Sequence, residues 1–78
     1  MTEDELIIGC IRQETASQKA VFDRYASRML GVCNRYARTA ADAEDILQDA
    51  FIKVFSKIRQ FKGEGSFEGW IRRIVVNT

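Results

Sequence analysis

Histidine is absent from this chain, which removes the usual general base and the commonest metal ligand together. The carboxylates that could stand in, Asp42, Glu44, Asp45 and Asp49, cluster at the head of one helical stretch. There the helix dipole favours negative charge by about 0.3–1 kcal/mol each, so the cluster has a structural explanation and calls for neither a metal nor catalysis. The residues with more to offer come later. Lys62, Gly65, Ser66 and Phe67 lie in or beside a glycine-containing loop, and Trp70, Arg73 and Asn77 follow. At about 100° per residue these last three fall along one shoulder of a helix. An indole offers a flat stacking surface, a guanidinium a phosphate partner, and a carboxamide a group able to read a base edge. Aromatics interleaved with cations suit single strands or bases pulled from a stack, each stacked base contributing roughly 1–3 kcal/mol. A loop of small residues could also wrap one extruded base and offer it backbone hydrogen bonds. The alternative is a tryptophan that completes the core beside two solvated neighbours. Exposure of the shoulder separates strand capture from a non-DNA-binding helical protein-interaction domain.

The rest of the chain bounds these readings. Beyond Asp49 come Lys53, Lys57, Arg59, Lys62, Arg72 and Arg73 against only Glu64 and Glu68, so a net charge of +1 conceals a basic, aromatic C-terminal third. Seventy-eight residues allow one small domain with little core to spare. No apolar run approaches the roughly 20 residues of a membrane span, and the N-terminal MTEDEL lacks the basic and apolar regions of a signal peptide. A soluble, cytoplasmic chain that needs no membrane and no cofactor is expected. Phosphate-loop, dinucleotide and zinc spacings are missing. Cys10 and Cys33 form no close pair and fall on apolar stripes, which points to buried free thiols rather than a disulfide.

The elements that must position the shoulder are helical, and the absence of proline suits short connections between them. Thr2 and Glu5 have capping-box spacing ahead of a first helix from about Asp4 to Glu14. Thr15, or Ser17, caps a long second helix whose stripe is Phe22, Tyr25, Met29, Val32, Cys33 and Tyr36. Arg24, Arg28 and Arg35 line one edge of it, either solvated or set against a nucleic-acid backbone. Asp42 is the expected N-cap of the third helix, whose core stripe is Ala43, Ile46, Leu47, Ala50, Phe51, Val54 and Ile58. Its opposite face carries Asp45, Gln48, Asp49, Ile52 and Ser56. Ile52 there is either an ordinary exposed aliphatic or the apolar centre of a small protein-binding patch. Gly63 and Gly65 serve the loop, Ser66 caps the fourth helix, and Phe67, Ile71, Ile74 and Val75 are its buried set. Phe51→Ala and Phe22→Ala are each expected to cost about 3–5 kcal/mol.

The run DAEDILQDAFIKVF, followed by FKGEGSFEGWIRRIVVNT, resembles bacterial RNA polymerase sigma factors, specifically the promoter-melting domain (region 2) of the extracytoplasmic-function group. FDRYASRML in the second helix fits the same domain, so the resemblance covers nearly the whole chain. It implies an all-α fold, a small four-helix orthogonal bundle spanning residues 1–78. It also implies that Asp45, Gln48, Asp49 and Ile52 dock on the clamp helices of the largest catalytic subunit of core RNA polymerase. The loop after Phe61 would hold a base flipped from the non-template strand of the −10 promoter element, with Lys62, Gly65, Ser66 and Phe67 nearest. Trp70, Arg73 and Asn77 would lie along that strand, Asn77 reading a base. Members of the family are not enzymes, and an anti-sigma factor often covers such surfaces. In the family a second helical domain reads the −35 element after a linker. With the sequence ending at Thr78, a domain lacking that part is expected.

Overall fold

A computed structural model describes every residue from Met1 to Thr78 and contains helices α1 (Glu3–Ile11), α2 (Thr15–Cys33), α3 (Ala40–Lys57) and α4 (Phe67–Val76), with a single 3-10 turn over Ile58–Gln60 between α3 and α4. No helix is long and apolar enough to cross a membrane. The central helix is α2, which packs on α1, α3 and α4, while α3 also packs on α4. The core runs along their shared faces through Leu6, Val21, Met29, Phe51, Val54, Phe67 and Ile71. Cys10 and Cys33 are buried free thiols within it.

The first helix starts as its capping box requires. Glu5 N–H donates to Thr2 Oγ1 at 3.2 Å, and Thr2 N–H donates to Glu5 Oε1 at 2.9 Å. That backbone donor holds the Glu5 carboxyl below its ordinary range. The helix ends at Ile11 rather than Glu14, because Gln13 adopts a left-handed φ of 61°. Gln13 N–H then reaches the Cys10 carbonyl and Glu14 N–H the Gly9 carbonyl, the paired closure of a Schellman turn. This turn brings α2 in at Thr15. Its N-cap is Glu14 without a side-chain bond, so neither Thr15 nor Ser17 has the capping role expected of them. Ser17 is buried instead, facing Gly9, where an added Cβ would lie 1.9 Å from its Oγ.

Two further boundaries move for similar local reasons. Thr39, not Asp42, caps α3, accepting the Asp42 N–H at 3.1 Å. Asp42 therefore sits in the first turn, and Glu44 and Asp45 fall one turn further along than expected. Because α2 stops at Cys33, Tyr36 lies beyond the packed stripe and is 65% exposed. Val21 takes an inward position in the stripe. Phe22 is half-buried at its edge, edge-on to Phe51 with ring centroids 5.0 Å apart. Tyr25 is buried and donates its hydroxyl to Glu3 Oε1 at 2.9 Å, tying the start of α1 to α2.

Candidate nucleic-acid interface

The loop that leads into α4 is shaped by its glycines. Gly63 and Gly65 have φ of 77° and 75°, values that residues with a Cβ adopt only at a cost. They turn the chain so that Ser66 reaches the N-cap of α4 and accepts the Gly69 N–H at 2.9 Å. From this start, the first two turns of α4 bring Phe67 inward, leave Trp70 half-buried and place Arg73 outside.

Three aromatic rings support the arrangement. Phe61 lies 5.2 Å from Phe67 and 5.5 Å from Trp70. Phe67 and Trp70 are nearly parallel, 13° apart with centroids at 6.0 Å. Phe67, expected among the residues nearest a captured base, is only 1% exposed. It also meets Tyr25 of α2 edge-on, so it forms the floor beneath Trp70 rather than a contact surface. The helical period places an aromatic inward or at the rim only to within about one position, which is why sequence assigned it to both.

Two clefts open on either side of Trp70 and Arg73, which line both. On the loop side, Glu64, Gly65, Ser66 and Gly69 complete a cleft of about 240 Å³. On the other side, Lys53, Lys57, Gln60 and Asn77 enclose one of about 270 Å³ between α3 and α4. Asn77 is the C-cap of α4 and is exposed. Ile74, expected in the core, is half-buried along the second cleft. Lys62 is exposed on the loop and lines neither cleft. The expected shoulder is thus assembled, Trp70 half-covered and Arg73 and Asn77 open to solvent. Sequence reasoning missed Lys53, Lys57 and Gln60 as members, because only tertiary packing carries them to α4.

The arginine edge of α2 has largely been spent on the fold. Arg24 donates to the Met1 carbonyl at 3.2 Å, and Arg28 pairs with Glu68 of α4. Arg35 lies past the end of α2 and is exposed. On α3, Asp45, Gln48, Asp49 and Ile52 are all exposed on one face, with Ile52 at 67%. Gln48 also borders an apolar groove of about 400 Å³ between α2 and α3, walled by Phe22, Ala26, Leu30 and Leu47.

Comparison with known proteins gives a consistent set of likenesses. Residues 21–78 match the family model described as Sigma-70 region 2. Over 78 residues, all of this chain, the sequence is 31% identical to the ECF RNA polymerase sigma-E factor of Haemophilus influenzae and spans 41% of it. It is 34% identical over 70 residues to the protein of the same name from Escherichia coli K12, covering 86% of this chain and 36% of that one. The RNA polymerase sigma-H factor of Pseudomonas aeruginosa is 36% identical over 64 residues, or 77% of this chain and 33% of that protein. The chain therefore spans well under half the length of these curated relatives. Among solved structures, the NMR structure of the complex formed by an engineered region 2 of sigmaE with GTAAAA superposes with a TM-score of 0.88. It is 26% identical and covers 99% of this chain and 80% of that one.

Proposed function

The chain belongs to the sigma-70 region 2 family, in its extracytoplasmic-function group, and from that premise we propose a specific division of labour over its surface. The domain docks on core RNA polymerase and captures the non-template strand of the −10 promoter element, flipping one base out of the duplex. The observation that carries this reading is the open Trp70–Arg73–Asn77 shoulder between two clefts. It is supported by the fold shared with a region 2 that forms a complex with GTAAAA.

In this reading the loop cleft receives the extruded base, with Gly65 and Ser66 at its edge and Lys62 neutralising a nearby phosphate. Trp70 supplies the stacking face, held upright by Phe61 and Phe67. Arg73 meets the backbone, and the unengaged carboxamide of Asn77 reads a neighbouring base. Extruding a base costs a few kcal/mol, which one or two stacks of roughly 1–3 kcal/mol each, with phosphate neutralisation, offset. The domain contributes recognition and no catalysis, since nucleotidyl transfer belongs to the polymerase. Asp45, Gln48, Asp49 and Ile52 form the docking face for the clamp helices, a polar rim around one aliphatic centre. An anti-sigma factor covering either surface would silence the domain.

The test uses Trp70, the single tryptophan, as an intrinsic reporter of single-stranded DNA carrying a −10-like sequence, with and without core polymerase. Sequence-dependent quenching that weakens with salt and disappears in Asn77→Ala, without loss of helicity, is the expected result. A second reading has one observation behind it: the Trp70 ring leans on Phe61 and Phe67 as a core residue would. Polymerase docking that persists while no strand binds in either format would leave that reading, a protein-docking bundle, in possession.

A further inference from the structure

Ser66, Gly69 and Trp70, at the start of α4, line the loop cleft, and Phe67 supports the indole from beneath. Where this turn sits against α2 therefore decides the shape of the cleft. Two contacts hold it there. Phe67 is buried edge-on against Tyr25, and Glu68 accepts a hydrogen bond from the Arg28 guanidinium. Arg28 follows Tyr25 by three residues, so both partners lie on one side of α2. The Arg28–Glu68 pair joins two helices, whereas the other ion pair of the molecule, Lys19–Asp23, lies within α2. Its side chains are 70% and 38% exposed, and exposed pairs contribute little to stability. Neither residue lines the clefts beside Trp70. What the pair adds is direction. Apolar contact is non-directional, so the Phe67 anchor alone leaves α4 free to roll about its own axis. Glu68 lies about 100° from Phe67 around that axis, and Trp70 about 60° from it on the other side. A roll that swings Glu68 outward carries Trp70 inward.

We propose that Arg28 and Glu68 are positioning residues for strand capture: the pair fixes the roll of α4 and so holds the Trp70 face and the loop cleft open in the free domain. Neither residue touches the strand. The inference rests on the functional reading above. A face already open before the strand arrives spares the binding energy that opening it would consume. Arg28 thus serves recognition through geometry rather than through a phosphate contact.

The experiment compares Arg28→Gln, Glu68→Gln, the double variant and Arg28→Lys with the wild type, free and with core polymerase. Acrylamide quenching of Trp70 reads the exposure of the indole, and a fluorescein-labelled single strand, −10-like or scrambled, reads affinity over a salt series. The two single variants change net charge in opposite directions, and the double variant leaves it as it was. All three should nonetheless move together. Acrylamide quenching should fall, and preference for the −10-like strand should drop by roughly tenfold, within what one misaligned stack removes. Arg28→Lys keeps the cation and should stay close to the wild type. The slope of log K against log salt should not change. A slope shallower by about 0.7 in Arg28→Gln alone would make Arg28 a phosphate contact, against the proposal. Tm should shift by no more than about 5 °C. A fall as large as a core truncation gives would make the pair part of the core's stability, also against the proposal. Unchanged quenching and preference in the variants, while the wild type still discriminates base sequence, overturn the positioning role and leave the functional reading standing. No strand binding by the wild type at any salt overturns both, whatever the quenching shows.

Discussion

Gly9→Ala tests whether the α1–α2 hairpin depends on close approach. A Cβ at Gly9 would meet Ser17 Oγ at 1.9 Å, Ser17 Cβ at 2.6 Å and Glu14 Oε1 at 2.9 Å. The glutamate tip can swing away and the hydroxyl can rotate, but Ser17 Cβ is fixed to the α2 backbone. The helices must part, and overpacking of this kind costs about 1–3 kcal/mol. A rigid obstacle at a buried position argues for the upper end. Alanine in place of helical glycine returns about 1 kcal/mol, so the net loss is about 2 kcal/mol. With an unfolding entropy of about 2.1 cal/mol/K per residue, that is a fall of about 12 °C in Tm for a chain of this length. Thermal melts followed by far-UV circular dichroism read it directly. Gly31→Ala is the control, since Gly31 is exposed in α2 and an added Cβ there meets nothing within 4 Å. That variant should gain about 0.5–1 kcal/mol. Ser17→Gly placed on Gly9→Ala removes the fixed obstacle and should recover part of the loss, a non-additivity expected of touching residues. If Gly9→Ala and Gly31→Ala shift Tm alike, helix propensity governs both positions and the steric argument is wrong.

The remaining expectations concern the loop, the core and pH. Gly65→Ala forces a Cβ into a φ of 75° at a cost of about 1–2 kcal/mol. It should weaken strand binding more than it lowers Tm, because the strain falls on the loop cleft itself; intact binding would show that the loop geometry is dispensable. Phe51, 2% exposed, should cost about 3–5 kcal/mol as alanine. Half-buried Phe22 should cost clearly less, correcting the equal expectation drawn from sequence, and matching denaturation midpoints for the two variants would contradict this ranking. Burial pushes the Cys10 and Cys33 thiols above 9.0. Burial, followed by the Glu3 hydrogen bond, pushes the Tyr25 phenol above 10.0. With raised folded values the unfolded chain loses these protons first, so stability is full below about pH 9 and falls as pH rises through the folded values. Tm should decline above about pH 9, and Tyr25→Phe should flatten the later part of that decline. An alkaline-insensitive Tm would mean the three groups are effectively solvated.

The helices were legible because their signals are local. Periodic stripes, the Thr2–Glu5 box, the two loop glycines and the Ser66 cap each act within a few residues; the box, the glycines and the cap are found where the pattern puts them, and the stripes miss at their margins, at Phe22, Tyr36, Ile46 and Ile74. What failed was competition between adjacent candidates. Thr39 and Asp42 are both good caps, as are Thr15 and Ser17, and the winner is set by how the preceding turn closes. The Schellman closure on Gln13 uses the Glu14 N–H, and that starts α2 before either hydroxyl residue can cap it. For the proposed docking face, periodicity sufficed to group the residues, since Asp45, Gln48, Asp49 and Ile52 share one exposed face of one helix.

The proposed strand-facing surface is different in kind. Trp70, Arg73 and Asn77 belong to α4 and could be grouped from its period alone. Lys53, Lys57 and Gln60 come from α3 and the 3-10 turn, and they reach the same concavity only because both helices pack together beside α2. Such convergence leaves no spacing for sequence to detect. It also makes the interface depend on the core: Phe67 is at once a packed residue against Tyr25 and the support of the exposed indole. Tilting α4 would move Arg73 away from the lysines and the indole away from the loop in a single motion. In the proposed function the aromatic floor therefore couples folding to recognition, since the surface would accept a strand only while the core beneath it is packed.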